Sequence, residues 1–358
     1  MSNKTIIDEE ARRKAIDEIV HGTFLMEGTM VAFPLCFPGA TVPLPPDESH
    51  VTALTLGPDA LVYGCTSGQQ AHLIVGMFHG LTGMVYDLGA PANASEGVAV
   101  GCTDKQVIAA FNGPRGGYLV RRKVHGLPFD LIQEWGFSRS PLDDLGGIAD
   151  GECIIDGIML DNDTFIVSGE QHLAAVNVSS GAVTIICELS QPTRLARTAN
   201  DCIVGVAGNT LWRYSVASGF IPQAITLPAG DWHGLSLRWA QDPSNSLLYL
   251  ADEAGQLYSY SNNTGFSACL GQIPQTPVGP MAVTYDGRLF GACGSELANL
   301  FCYDTAVGSM RNLGVAASVI ERRRYGYAFG AAIVGRDGES FSAKMTTWGI
   351  CGCISRAS

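Results

Sequence analysis

Long hydrophobic runs are missing from this chain: none approaches the roughly 18 consecutive apolar residues needed to cross a bilayer, so no membrane partner is expected. Charge is also sparse. Only 16% of the 358 residues are charged, and the formal net charge is −12. That balance disfavours nucleic acid, and no nucleic-acid partner is expected, because binding phosphates needs clustered Lys and Arg. The basic clusters are short: Arg12-Arg13-Lys14, Arg121-Arg122-Lys123 and Arg322-Arg323-Arg324. Segments with a 3.6-residue apolar period are scarce, which disfavours helical solenoids. There is no GxSxG, Walker loop or HExxH, nor a GxGxxG leading into a helix, so hydrolases and nucleotide enzymes of those kinds are disfavoured. No CxxC pair occurs. The 11 cysteines are odd in number and scattered, as at Cys65, Cys102, Cys187, Cys202 and Cys302, and read as small buried hydrophobes of a reducing cytosol. Cys351-Gly352-Cys353 lacks zinc or redox spacing. Neither a metal nor a cofactor is expected. The N-terminus is polar, without the apolar core of about 7–15 residues of a signal peptide, and a cytoplasmic location is expected.

What the chain does have is Gly, 43 of them, and a recurring pattern. Residues 61–89 read LVYGCTSGQQAHLIVGMFHGLTGMVYDLG: three apolar runs of strand type bounded by Gly, Ser and Asp. A polar residue followed by Leu opens the second run, and copies stand at His72-Leu73, Tyr118-Leu119, His172-Leu173, Thr210-Leu211, Gln256-Leu257 and Asn299-Leu300, with a weaker seventh from Trp348. The spacing of roughly 38–54 residues suits the four strands of a propeller blade. The pattern predicts an all-β, seven-bladed β-propeller. Predicted blades run at about 50–91, 96–135, 153–188, 193–228, 233–274 and 279–314, with a seventh from 325 that has room for three strands. An open last sheet would expose an edge, so a strand within about 22–37 is expected to close it. Residues 7–20 predict a helix, with Ile7, Ala11, Ala15 and Ile19 on one face. The domain division is 1–22, a helical extension, and 23–358, the propeller. Residues 136–151 read as a long insertion between the second and third blades.

In such a blade the innermost strand and the third strand start at one end of the central channel, where a concave site is expected. Innermost-strand starts are read as His50, Glu96, Asp156, Arg194, His233, Met281 and Tyr327. Third-strand starts are His72, Tyr118, His172, Thr210, Gln256 and Asn299. Four of the seven histidines fall on these two rings. His79 and His125 precede Gly at the opposite face and read as turn residues, and Asp87 and Asp304 as groups that bond a turn backbone. Arg324, beside Tyr325-Gly326-Tyr327, could grip an anion at the channel mouth.

Tyr63-Gly64-Cys65-Thr66, Ala71-His72-Leu73 and Val85-Tyr86-Asp87-Leu88-Gly89 resemble the repeat of sugar-associated seven-bladed propellers, and residues 319–339 (VIERRRYGYAFGAAIVGRDGE) are similar to their closing segment. That group includes polysaccharide lyases of rhamnose–glucuronate and oligogalacturonate type. The resemblance implies β-elimination on a uronic-acid glycoside: a base takes the proton α to a carboxylate, a cation neutralises the enolate and an acid protonates the departing oxygen. Under it, Arg194 holds the carboxylate, and His50, His72 or Tyr118 share the proton transfers. Glu96, His172, His233, Arg324 and Tyr327 contact the sugar, a small molecule or oligosaccharide. A non-catalytic propeller that binds a protein or glycan through its rim is the alternative. The oligomeric state is not legible.

Overall fold

Short β-branched and aromatic runs separated by Gly, Asp and Asn turns build strands of mostly four to eight residues. The computed structural model describes residues 30–36, 44, 46–48, 50–79, 82–124, 141–198, 201–295, 298–315, 317–320, 323–326, 329–335, 340–344 and 350–356. Six antiparallel sheets, each built from consecutive strands, span 50–89, 96–146, 154–188, 196–226, 239–272 and 278–315. In the fifth, the outer position is split between Gly265–Phe266 and Gly271–Gln272. A further sheet is composite. Met30–Cys36 pairs antiparallel with Ile350–Arg356, followed by Ser340–Lys344 and Phe329–Val334. The last of these lies against both His50–Leu56 and Val278–Val283, the innermost strands of the first and sixth sheets. The fold is an all-β propeller.

Seven repeats were expected, and six sheets are complete in consecutive strands; the last repeat contributes three strands and takes its fourth from the N-terminal side. The helix expected at 7–20 lies outside the described residues, whose one helical element is the 3-10 turn Pro46–Glu48. A two-stranded hairpin, Ala317–Ile320 with Arg323–Gly326, stands between the sixth sheet and the composite one. Among the described residues no helix is long and apolar enough to cross a membrane.

The second sheet departs from its expected limits. Its fourth strand is Asp143–Gly146, inside the stretch expected to be an insertion. The local chemistry explains the assignment. In the first sheet Asp87 Oδ1 accepts the Gly89 N–H at 2.8 Å, in the second Asp144 Oδ1 accepts that of Gly146 at 2.9 Å, and in the sixth Asn312 Oδ1 accepts that of Gly314 at 2.9 Å. Each ladder skips the Leu between, so one extra residue bulges outward. The glycines have φ of 133°, 80° and 89°, a region costly for a side chain. Asp/Asn-Leu-Gly is thus a fourth-strand signature.

Consecutive sheets pack face to face on apolar layers. Tyr63, Leu73 and Phe111 fill the gap between the first and second, Ile108, Leu119 and Phe165 the next, and Ile166, Leu173 and Trp212 the one after. Burying each such side chain contributes about 1.5–3 kcal/mol. The layers are thin because glycines sit under aromatic rings: Gly291 pairs with Phe301 across the sixth sheet. A Cβ there would fall 2.5 Å from the Phe301 ring and 2.9 Å from Met281. Gly291→Ala is therefore expected to destabilise by about 1–3 kcal/mol through overpacking, read as a lower thermal unfolding midpoint. An unchanged midpoint would show that the ring has room to move.

Candidate functional site

The innermost strands carry small residues where they converge, and the space left between them is a cavity of about 170 Å³ on the ring axis. Thr52, Val98, Asp156, Met281 and Ala331, from five different sheets, line it together with Arg194 and Arg238, which stand just before the innermost strands of two others. The innermost strands are irregular where they line the cavity: ladder registers shift between Val51 and Ala53, Gly97 and Ala99, Ile154 and Asp156, and Val278 and Met281, leaving one or two residues of each strand out of the pairing.

Three of the lining residues are ionisable. Asp156 Oδ1 accepts the N–H of Gly157 and Oδ2 that of Leu195, both at 2.8 Å. Burial raises its pKa above the usual carboxylate value of 3.8, and this outweighs the opposing pull of Arg194, the two N–H groups and Arg238. Arg194 is anchored by its backbone N–H to Gly234 O at 3.0 Å and by Nε to Leu235 O at 2.9 Å, leaving its Nη groups without a hydrogen bond among the described residues. Arg238 donates to Leu237 O at 3.1 Å, and more weakly to Leu235 O and Ser236 O. Burial, with Arg194 nearby, lowers its pKa to about 10, and Asp156 opposes that shift. Two guanidinium groups facing one protonatable carboxyl can bind a small anion and exchange a proton with it.

The structure distributes the sequence-derived residues differently. Arg194 and Asp156 line the axial cavity, and none of the described histidines does. His50 begins the innermost strand of the first sheet, two residues before Thr52, and its buried Nε2 has no hydrogen-bond partner among the described residues. Glu96 begins the corresponding strand of the second sheet, with Oε2 accepting from Asn112 at 2.9 Å. His233 lies in the loop before Trp239–Gln241 and not at a strand start; it is exposed, 3.3 Å from Asp231. Arg324 lies in the strand Arg323–Gly326. Tyr327 lies outside the described residues.

The third-strand starts share a different task. Each of four reaches back to the connector that enters its own sheet. His72 Nε2 is 2.9 Å from Glu48 Oε2, and its Nδ1 is 3.2 Å from Asp87 Oδ1. The Tyr118 hydroxyl donates to Ala92 O at 2.9 Å. His172 Nδ1 is 2.6 Å from Glu152 Oε2, whose other oxygen accepts the N–H groups of Gln171 and His172. Asn299 donates to Gln275 at 2.7 Å. These side chains are tied to the chain that links one sheet to the next. Tyr118 also lines a second, larger cavity of about 820 Å³ at the edge of the second sheet, and burial, helped by Asp144 and opposed by Arg115, pushes its phenol up to about 12.

Arg238 escaped the sequence reading. The signal that finds it is the alanine of the innermost strands, at Ala53, Ala99, Ala196, Ala240 and Ala282: the run Leu237-Arg238-Trp239-Ala240 matches Thr193-Arg194-Leu195-Ala196. Among the described residues no group of three or more His, Cys, Asp or Glu is arranged to hold a metal ion.

No protein-family model matches the sequence, and no curated protein matches it. Solved structures do. A streptogramin B lyase superposes with a TM-score of 0.65 at 9% identity, over 92% of this chain and 98% of its own. A catalytically inactive virginiamycin B lyase from Staphylococcus aureus, solved with quinupristin, gives 0.65 at 10% identity over 91% and 99%. The extracellular domain of a hybrid two component system from B. thetaiotaomicron gives 0.58 at 13% identity; this chain spans 40% of that one. At such identities the likeness is one of fold.

His72 offers a pH test. Burial lowers its pKa, but hydrogen bonds to Asp87 and Glu48 and their charges outweigh that, so the net shift is upward from 6.5. The bound proton's contribution to stability is complete below the unfolded value and is lost as pH rises through the folded one. The wild type should therefore exceed His72→Gln in melting temperature by more at pH 6 than at pH 9. A gap that stays constant or widens toward pH 9 would contradict the two-carboxylate clamp.

Proposed function

We propose that this chain is a carbon–oxygen lyase working in the axial channel on a carboxylate-bearing ligand, with a uronic-acid glycoside as the substrate class. The observation that carries the reading is the shared cavity of Asp156, Arg194 and Arg238. Arg194 and Arg238 would take the ligand carboxylate and hold the negative charge as it delocalises into the enolate. Asp156 would remove the proton α to that carboxylate, and its raised proton affinity makes it a better base than an exposed aspartate. The electron pair released at the α carbon forms the new C=C bond, and the β C–O bond breaks with its pair on oxygen. Asp156, now carrying the abstracted proton, would return it to that oxygen. At about 170 Å³ the cavity is smaller than drug-sized sites and fits the reacting end of a ligand, with the remainder outside.

The net charge of −12 does not attract polyanions over distance, so capture would depend on the two arginines at short range. Streptogramin B lyases share the fold, which supports lyase chemistry here only as a parallel. In this reading the composite sheet serves as the seventh blade, and the substrate is a small or oligomeric uronide met in the cytoplasm.

Incubation with a panel of uronides should produce the ultraviolet absorbance of an unsaturated product. Asp156→Asn should lower the rate at least about 100-fold, and Arg194→Lys, which keeps charge but loses the fork geometry, should raise KM. Full activity in Asp156→Asn would remove the proposed base. No product from any uronide would refute the lyase reading.

A further inference from the structure

The larger cavity, of about 820 Å³, is separate from the axial one and shares no lining residue with it. It lies between the end of the first sheet and the second sheet's outer edge. Leu88–Asn93 forms one wall, the Gly113–Gly117 turn a second, and Pro141–Gly151 a third. Its size is within the range of about 300–1,000 Å³ typical of small-molecule sites. Glycines keep the walls low: Gly146 and Gly151, at φ of 80° and 71°, leave open space where a Cβ would stand, and Gly116, at 101°, packs directly on the Gly151 backbone.

The charges are what give this cavity a chemistry. Arg115 and Asp150 line it, both exposed, and neither makes a hydrogen bond or ion pair among the described residues. Asp144, also exposed, spends one oxygen on the Gly146 N–H and has the other free of hydrogen bonds among the described residues. Arg115 and the two aspartates thus face one space without neutralising one another. Asp144 and Arg115 line the same cavity as the Tyr118 ring, and their charges act on its phenol in opposite directions. Tyr118 itself is held by its bond to Ala92 O and cannot swing away without losing it. A purely anionic ligand would meet two carboxylates, and a purely cationic one would meet the guanidinium. A molecule carrying both signs satisfies all three groups.

We propose that this cavity is a binding site for a zwitterionic peptide-like ligand. Its protonated amine is taken by Asp144 and Asp150 over the Tyr118 ring, and its carboxylate is gripped by Arg115. The site is independent of the channel chemistry proposed above.

Calorimetric titration of the full chain with tetra-alanine tests it, beside the N-acetylated and the C-amidated forms of the same peptide. The free zwitterion should bind saturably, and blocking either terminus should weaken binding by roughly tenfold or more. Asp144→Asn with Asp150→Asn should abolish the preference for the free amine, and Arg115→Gln the preference for the free carboxylate. Both sets of side chains are exposed, so these variants should fold as the wild type does. Arg194→Lys, in the channel, should leave the peptide affinity unchanged. Equal binding of all three peptides, no binding of the free one, or indifference to the Arg115 and Asp144/Asp150 changes would overturn the proposal, whatever the uronide assay shows.

Discussion

Strands from separate sheets converge on one axis, and that convergence constrains the whole molecule. Backbones that approach so closely tolerate only small side chains at the meeting point. Ala53, Ala99, Gly157 and Ala331 line the axial cavity, and Ala196, Ala240 and Ala282 lie in the remaining innermost strands. The ring must also be closed, and here the ladder between Met30–Cys36 and Ile350–Arg356 joins the two ends of the sequence. Without that pairing Ile350–Arg356 would present an open edge. Among the described side chains, neighbouring sheets then meet through apolar clusters.

Such a body leaves few places for polar groups, and each has a structural origin. Connectors between sheets carry polar groups, mostly side chains, and the third-strand starts bond them. His72, His172 and Asn299 differ in chemistry but reach the same target, the short segment entering their own sheet. At the axis the opposite condition holds. Asp156 is largely withdrawn from water, and Arg194, the N–H groups of Leu195 and Gly157, and Arg238 offset only part of the cost of its charge. A carboxyl in that position holds its proton more tightly than usual, which is the property a proton-transferring group needs near neutral pH. The same burial weakens the hold of Arg238 on its own proton.

Much of this was legible in the sequence and some was not, for reasons of geometry. The alternation of short apolar runs with Gly and Asp turns gives the all-β propeller, because period and punctuation are local properties. Asp156 and Arg194 were also within reach, since both fall beside the start of an innermost strand. The histidines of the third-strand starts recur in phase with them, yet those positions stand two strands out, about 10 Å from the innermost backbone. Phase along a repeat fixes height on the ring and says little about distance from the axis. Arg238 was missed because His233, five residues earlier, is the more conspicuous side chain; the Ala240 that follows Arg238 is the better marker. The fourth strand of the second sheet was hidden by the residues before it, although Asp144-Leu145-Gly146 repeats Asp87-Leu88-Gly89.

The central claim is that the axial carboxyl is set up to exchange a proton beside two guanidinium groups. A carbon-13 NMR titration of the Asp156 side chain measures this directly. The account predicts a midpoint above the 3.8 of an ordinary aspartate, moving downward when Arg194 and Arg238 remain and the cavity is opened to water by a substitution at Met281. A midpoint at or below the ordinary value in the intact protein would contradict it, and would leave the channel with a permanently ionised, purely structural ion cluster.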